Sequence, residues 1–216
     1  MRGVQFGEYH TADDWDLILN SKKINPPTPK TVSVKIDGRD GELNLSRALT
    51  GEMKYGTRNA DFTFLVTEGT QSERNDLINE IVNLIHGKEL EIIEPDDEDH
   101  YLLGECSVSD ITNTKGYGSF KVKATCEPYR YSVTEINRVI TASSTPVDVI
   151  LSNTGRKTLT PTITVSGSAS LKFGSTNVAL DKGTYKLPSL LLKTGTTIVT
   201  VSGSGTVTFS YREAII

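Results

Sequence analysis

Apolar and polar positions alternate with period two along most of this chain. Only one segment carries the period near 3.6 of an amphipathic helix. The alternating runs predict strands at about 31–37, 42–46 and 60–67, then at Leu90–Ile93, Tyr101–Val108 and Ser119–Cys126. The last of these puts Phe120, Val122, Ala124 and Cys126 on one face and Lys121 and Lys123 on the other. The helical segment lies at about 71–86, where Leu77, Ile78, Ile81, Val82, Leu84 and Ile85 form a broad apolar stripe. Thr70 and Glu73 read as its capping box, with Ser72 as a rival cap, and Gly87 supplies the stop. A helix this apolar covers a sheet face or a neighbouring subunit. His86, at its negative end, is expected to act there as a cation.

The first 30 residues are a polar lead-in with a lone Trp15, a core or interface anchor. Pro26-Pro27-Thr28-Pro29 is extended and feeds the first long strand. Val32/Val34/Ile36 and Leu43/Leu45 then flank a turn with two Asp-Gly pairs, Asp37-Gly38 and Asp40-Gly41, a strong hairpin signal. The polar, Gly-punctuated segment Ser46–Ala60 is too long for a simple hairpin loop and suits contact with a neighbour.

Beyond Tyr131 the composition changes. Of the last 85 residues, 28 are Ser or Thr and 12 are charged, and Cys, Met, Trp and His are absent. Short β-rich runs recur at Val147–Leu151, Thr162–Ser166, Leu171–Phe173, Val178–Leu180, Thr197–Ser202 and Thr206–Tyr211, with Gly203-Ser-Gly205 as a turn between the last two. Such spacing argues a β-sandwich or jelly roll. Charge divides at the same place: residues 1–131 carry 15 Lys+Arg against 23 Asp+Glu, and residues 132–216 carry 8 against 4. Two domains, 1–131 and 132–216, follow from both shifts.

Chemistry is sparse. Cys106 and Cys126 read as reduced core thiols, and no CxxC or His-rich spacing supports a metal. Asp96-Asp97-Glu98-Asp99 lacks the ligand spacing of an EF-hand and reads as a solvated turn. His10, His86 and His100 lie far apart in sequence, and neither a GxSxG elbow nor a phosphate loop is present, so no enzyme and no cofactor are expected. A nucleic-acid grip would want a basic patch, and a membrane span would want about 18 apolar residues in a row. The sequence offers neither, and its start, Met-Arg-Gly-Val-Gln-Phe-Gly-Glu, is not a secretory signal.

The order of these motifs resembles the distal tail protein family of long-tailed, non-contractile phages. The residues that carry the likeness begin with Ile36-Asp37-Gly38-Arg39-Asp40-Gly41-Glu42-Leu43-Asn44-Leu45, then Tyr55, Arg58, Phe62 and Phe64. His86-Gly87-Lys88, the carboxylate-rich turn and Gly104 continue it. In the second domain it rests on Asn153-Thr-Gly155, Pro161–Gly167, Gly195 and Val207–Glu213. Asp37 stands where a proline is common, and Arg58-Asn59 reverses the usual pair.

The resemblance implies a mainly β chain of two domains. The first would be a tail-tube-like β fold with one flanking α-helix, and the second a galectin-like β-sandwich or jelly roll. It implies a homohexameric ring, able to stack, at the tail tip of a virion assembled in the host cytoplasm. Partners would be the tail tube protein, the tip or spike protein and a receptor-binding protein, with genomic DNA only passing through the lumen. Arg39, Asp40, Arg47, Tyr55 and Arg58 are nominated for ring or stacking contacts, against the alternative of solvent-facing turn residues. The competing function is a carbohydrate-binding adhesin module that recognises host wall polymer through the second domain. Against it, the aromatics there are Phe173, Tyr185, Phe209 and Tyr211, with no Trp to stack on sugar.

Overall fold

In the computed structural model, which describes residues 2–38, 40–48 and 51–216, the chain is mainly β and divides into two compact units. One comprises residues 1–130 with Ile216, the other residues 131–215.

The first unit is built on an antiparallel sheet. Its strands are β1 (Gln5–Phe6), β2 (Tyr9–His10), β3 (Ile18–Ile24), β6 (Arg58–Val66), β7 (Glu89–Glu94), β8 (Asp97–Asn113) and β9 (Gly118–Ser132), in the order β2-β1-β7-β8-β9-β6-β3. Strands β4 (Ser33–Lys35) and β5 (Glu42–Asn44) form a separate two-stranded ribbon. Alternation decides which face is buried: Phe62 pairs with Val122 and Phe64 with Phe120, all four inward. Phe6 meets Phe62 edge-on at 5.7 Å between ring centroids, an arrangement the ring quadrupoles favour.

Helix α1 (Gln71–Ile85) covers this face. The Thr70 hydroxyl accepts from the Glu73 N–H at 3.3 Å, and the Glu73 carboxylate accepts from the Thr70 N–H at 2.7 Å. Ile78, Ile81 and Ile85 are buried in the core, with Leu77, Val82 and Leu84 half-buried against it. Gly118 lets the helix come close, since a Cβ there would sit 3.2 Å from Ile78 Cδ1. Arg74 is a buried polar lock that no periodicity announces. Its guanidinium donates to the carbonyls of Gly69, Thr114 (2.7 Å) and Lys115 (3.3 Å), tying the helix start to the β8–β9 turn. His86 is not the expected cation: its Nδ1 accepts the Val108 N–H at 3.0 Å, which an imidazolium cannot do.

Two further expectations change, and the reading of the two cysteines as core thiols holds. The polar lead-in is part of the sheet, as β1, β2 and β3, with Phe6, Trp15 and Leu17 buried. The acidic stretch is not a free turn: only Pro95 and Asp96 turn, and Asp97 already begins β8. Cys106 and Cys126 are free buried thiols, pushed up to about 12 and about 11 by burial.

The second unit contains β10 (Ile136–Ala142), β11 (Val147–Asn153), β12 (Thr162–Val165), β13 (Ser168–Phe173), β14 (Thr176–Leu180), β15 (Gly183–Lys186), β16 (Gly195–Tyr211) and β17 (Ala214–Ile215). Strand β16 belongs to two layers. Its first half lies between β11 and β13, with β14 beyond; its second half lies between β10 and β12, with β15 beyond. Gly203-Ser204-Gly205 is therefore no turn between strands but a bend within one. Gly203 at φ 134° has a backbone few side chains tolerate, and a Cβ there would meet the Ser168 carbonyl oxygen at 2.2 Å. Strands that switch sheets make the corners of sandwiches. Leu151, Leu171, Val199 and Val201 from one layer meet Ile163, Val207, Phe209 and Tyr211 from the other in a single core.

The Asn153-Thr-Gly155 motif holds one end of this unit. Asn153, buried, donates to the carbonyls of Lys157 and Leu192 at 2.9 Å each and accepts from Gly155 N–H at 3.0 Å. Gly155 has no room for a side chain, because a Cβ would lie 2.3 Å from the Ala214 carbonyl oxygen. Among the described residues, no helix is long and apolar enough to cross a membrane.

Candidate assembly surfaces

The β4–β5 ribbon stands on a stem. Pro29 bridges to Tyr55, Lys30 N–H donates to the Lys54 carbonyl at 2.8 Å, and Gly56 N–H donates to the Thr28 carbonyl at 2.8 Å. The Tyr55 ring meets Tyr129 edge-on at 6.3 Å. Above the stem, Ser33 pairs with Asn44, Val34 with Leu43 and Lys35 with Glu42. The turn closes through Gly38 and Gly41, both at positive φ (84° and 74°).

Pairing sorts the ribbon into two faces. Ser33, Lys35, Glu42 and Asn44 share one, where the Ser33 hydroxyl donates to Glu42. Val32, Val34, Ile36, Leu43 and Leu45 share the other. That apolar face lies open: Val32 is 55% exposed, and Val34, Ile36 and Leu45 are exposed too. Isolated two-stranded ribbons are marginal in water, and exposed apolar strands are templates for association.

The structure distributes the nominated contact residues unevenly. Asp40 lies in the exposed ribbon turn and Arg47 on the exposed segment after β5, while Tyr55 is half-buried in the stem. Arg39 lies outside the described residues. Arg58 is elsewhere: it sits in β6, only 4% exposed, beside Cys126, so its side chain offers no open surface. Its Nε and Nη1 have no hydrogen-bond partner. Burial first, and then the neighbouring Arg130 charge, lowers its pKa below the ordinary value.

A second polar cluster surrounds Glu94, which is 8% exposed. Lys22 pairs with Glu94 and, at 2.5 Å, with Asp96. Arg130 reaches Glu94 at 3.0 Å and Asp97 at 2.7 Å, and His100 holds the other Asp97 oxygen at 2.7 Å. Burial works against a charged Asp97, but hydrogen bonds from His100 and Arg130 outweigh it and hold its carboxyl below the usual range. The cluster joins β3, β7, β8 and β9 and leaves each carboxylate engaged with a cation, an arrangement for fastening strands. Among the described residues no group of three or more His, Cys, Asp or Glu is placed to hold a metal ion.

In the second unit Phe173, Phe209 and Tyr211 are core, and Tyr185 is half-buried with its hydroxyl donating to the Asp181 carbonyl at 3.1 Å. None presents an open ring for a sugar to stack on.

No protein-family model matches the chain, and neither does any curated protein. Among solved structures, the chain is similar to the Dit protein of SPP1, a paradigm of the hub adsorption apparatus in phages that infect Gram-positive bacteria. The identity is 17%, the TM-score 0.68, and the match covers 98% of this chain and 99% of that one. A structure of the phage P2 baseplate in its activated conformation with Ca also matches, at 10% identity and TM-score 0.49 over 99% and 98% of the two chains. The fold of this chain, through both units, is therefore that of a phage distal tail protein.

Proposed function

We propose that this chain is a structural subunit of a phage tail tip, and that six copies close into a ring joining the tail tube to the tip and the host-adsorption apparatus. The observation that carries this reading is the end-to-end fold likeness to a phage hub protein, at TM-score 0.68. The open apolar face of the ribbon supports it, because a ring subunit needs two different complementary patches and this one leaves such a patch uncovered within its own unit. Asp40, Arg47 and Tyr55, on or below the ribbon, are the proposed ring or stacking contacts. Arg58 would act only from beneath, by fixing β6 and its stem.

On this reading the first unit is the tail-tube-like ring former and the second, galectin-like unit docks or spaces neighbouring proteins on the outside. The partners are further copies of the chain, the tail tube protein, a tip or spike protein and a receptor-binding protein. Genomic DNA would pass through the lumen, where the net −8 of residues 1–131 would keep a like-charged duplex from adhering. The role is structural and not catalytic. Electron microscopy of the purified protein tests it: closed rings with an open centre are expected, and only single particles at high protein concentration would overturn the reading. The adhesin alternative gains support from one feature of the second unit, a cationic groove.

A further inference from the structure

We propose that the second unit carries a binding groove for a phosphate-bearing polyhydroxyl chain, a polymer of polyol phosphates or sugar phosphates. The groove encloses about 420 Å³ and lies at the end of the layer formed by β10, β12, β15 and the second half of β16. Three cations line it, Lys157, Lys186 and Arg212, against one carboxylate, Glu135.

The cations are held in different ways. Lys157 donates to the Tyr131 hydroxyl and lies 4.5 Å from the centre of that ring. Arg212 is fixed through Nη1, which donates to the carbonyls of Ser132 (3.2 Å) and Val133. A guanidinium has five N–H donors in a planar fork, so anchoring one nitrogen sets the orientation of the rest. Lys186 is exposed at the far side. Backbone geometry thus sets part of the positive lining independently of any ligand. That is the preorganisation an anion site needs.

Hydroxyls supply the second half of the argument. Ser210, Thr162 and Lys186 are direct cross-strand partners, so their side chains stand in one row on the outer face of the sheet. The adjacent row is Thr208, Thr164 and Thr184, with the Thr164 and Thr184 hydroxyls 3.4 Å apart. Inward positions between these rows, Ile163 and Phe209, are core. The threonine rows therefore face out as a hydroxyl-lined track leading away from the cations. Hydroxyls both donate and accept, which suits a ligand with hydroxyls of its own. Glu135 adds an acceptor that a bare polyanion would meet as repulsion and a polyol would meet as a hydrogen-bond partner. Cations for the phosphates, hydroxyls and one carboxylate for the carbon chain between them: the two recognitions together specify a phosphorylated polyol and disfavour DNA, polyphosphate and neutral glycan.

This inference concerns the second unit alone and stands whether or not the chain closes into a ring. Calorimetric titration of the full chain with a purified glycerol-phosphate polymer tests it, with dextran, polyphosphate and single-stranded DNA as the comparison probes. Binding to the glycerol-phosphate polymer is expected, at least tenfold weaker in Lys186→Glu and little changed in Lys172→Glu. Lys172 lies on β13 in the other layer, so it controls for net charge alone. Salt should weaken the interaction, since exposed charges are screened over about 8–10 Å at ordinary ionic strength. Circular dichroism would establish that both variants are folded. Three results would overturn the proposal: no binding, equal binding of any comparison probe, or equal losses in K186E and K172E.

Discussion

Helix α1 and the β4–β5 ribbon carry the same kind of signal, an apolar face opposite a polar one, and meet opposite fates. The helix lays Ile78, Ile81 and Ile85 onto the sheet of its own unit, and they are buried. The ribbon keeps Val32, Val34, Ile36 and Leu45 exposed. Amphipathic patterning fixes which face of an element seeks cover. Whether the cover comes from the same chain or another is decided by what else the chain brings there. For the helix that is a sheet built from Phe62, Phe64 and Phe120, together with the Arg74 lock. For the ribbon, among the described residues, its own unit supplies the Pro29–Tyr55 stem below. The covered face stabilises the fold, and the open face is available for assembly.

Substitutions on the two faces should therefore separate stability from association. The largest loss of stability is expected from Ile81→Ala, about 2–5 kcal/mol for a buried Ile in a well-packed core, read by denaturant unfolding. Removing the polar lock, Arg74→Ala, takes the buried guanidinium away from the carbonyls of Gly69 and Thr114, and about 1.5–3 kcal/mol should go by the same measurement. Thr70→Ala should take about 1 kcal/mol from the helix start, because the cap side chain that accepts from Glu73 N–H is lost. The pair Val34→Asp and Ile36→Asp, on the open face, should move unfolding of the single chain by no more than about 0.5 kcal/mol.

Acid sharpens the same contrast. Asp97 is held below its ordinary 3.8 by His100 and Arg130 acting against burial. A depressed carboxylate contributes stability that is present above its ordinary pKa and lost as the pH falls through the folded one. Unfolding free energy measured down to about pH 3 should decline in the wild type, and Asp97→Asn should flatten that decline. The ribbon variants should leave the acid limb as it is.

Much of the fold could be read from the residues because local rules decide it. The capping box at Thr70, the stripe from Leu77 to Ile85 and the alternation of Phe120 to Cys126 each fix an element without reference to its surroundings. Where the reading failed, a distant partner decided the outcome. Ile18–Ile24 looks polar because β3 lies at the edge of its sheet, beside β6. Gly203 and Gly205 signal a turn locally, but the Ser143 carbonyl accepts from Gly203 N–H at 2.8 Å and keeps β16 continuous. Arg58 has the look of a surface cation, but it is buried where β6 pairs with β9 at Cys126, far along the chain. The Glu94 cluster needs Lys22 from 72 residues away, so an acidic run alone could not reveal it. The cationic groove likewise collects Lys157, Lys186 and Arg212 from separate strands and loops.

Light scattering coupled to size-exclusion chromatography, run on the wild type and on the Val34→Asp/Ile36→Asp variant over a range of concentrations, asks most directly whether the ribbon's open face is an assembly face. The account predicts a wild-type mass of six times the 23.6 kDa chain, or a stacked multiple of it, and a variant that runs as a folded 23.6 kDa species. A wild type that stays at 23.6 kDa throughout, or a variant that assembles as well as the wild type, would contradict it.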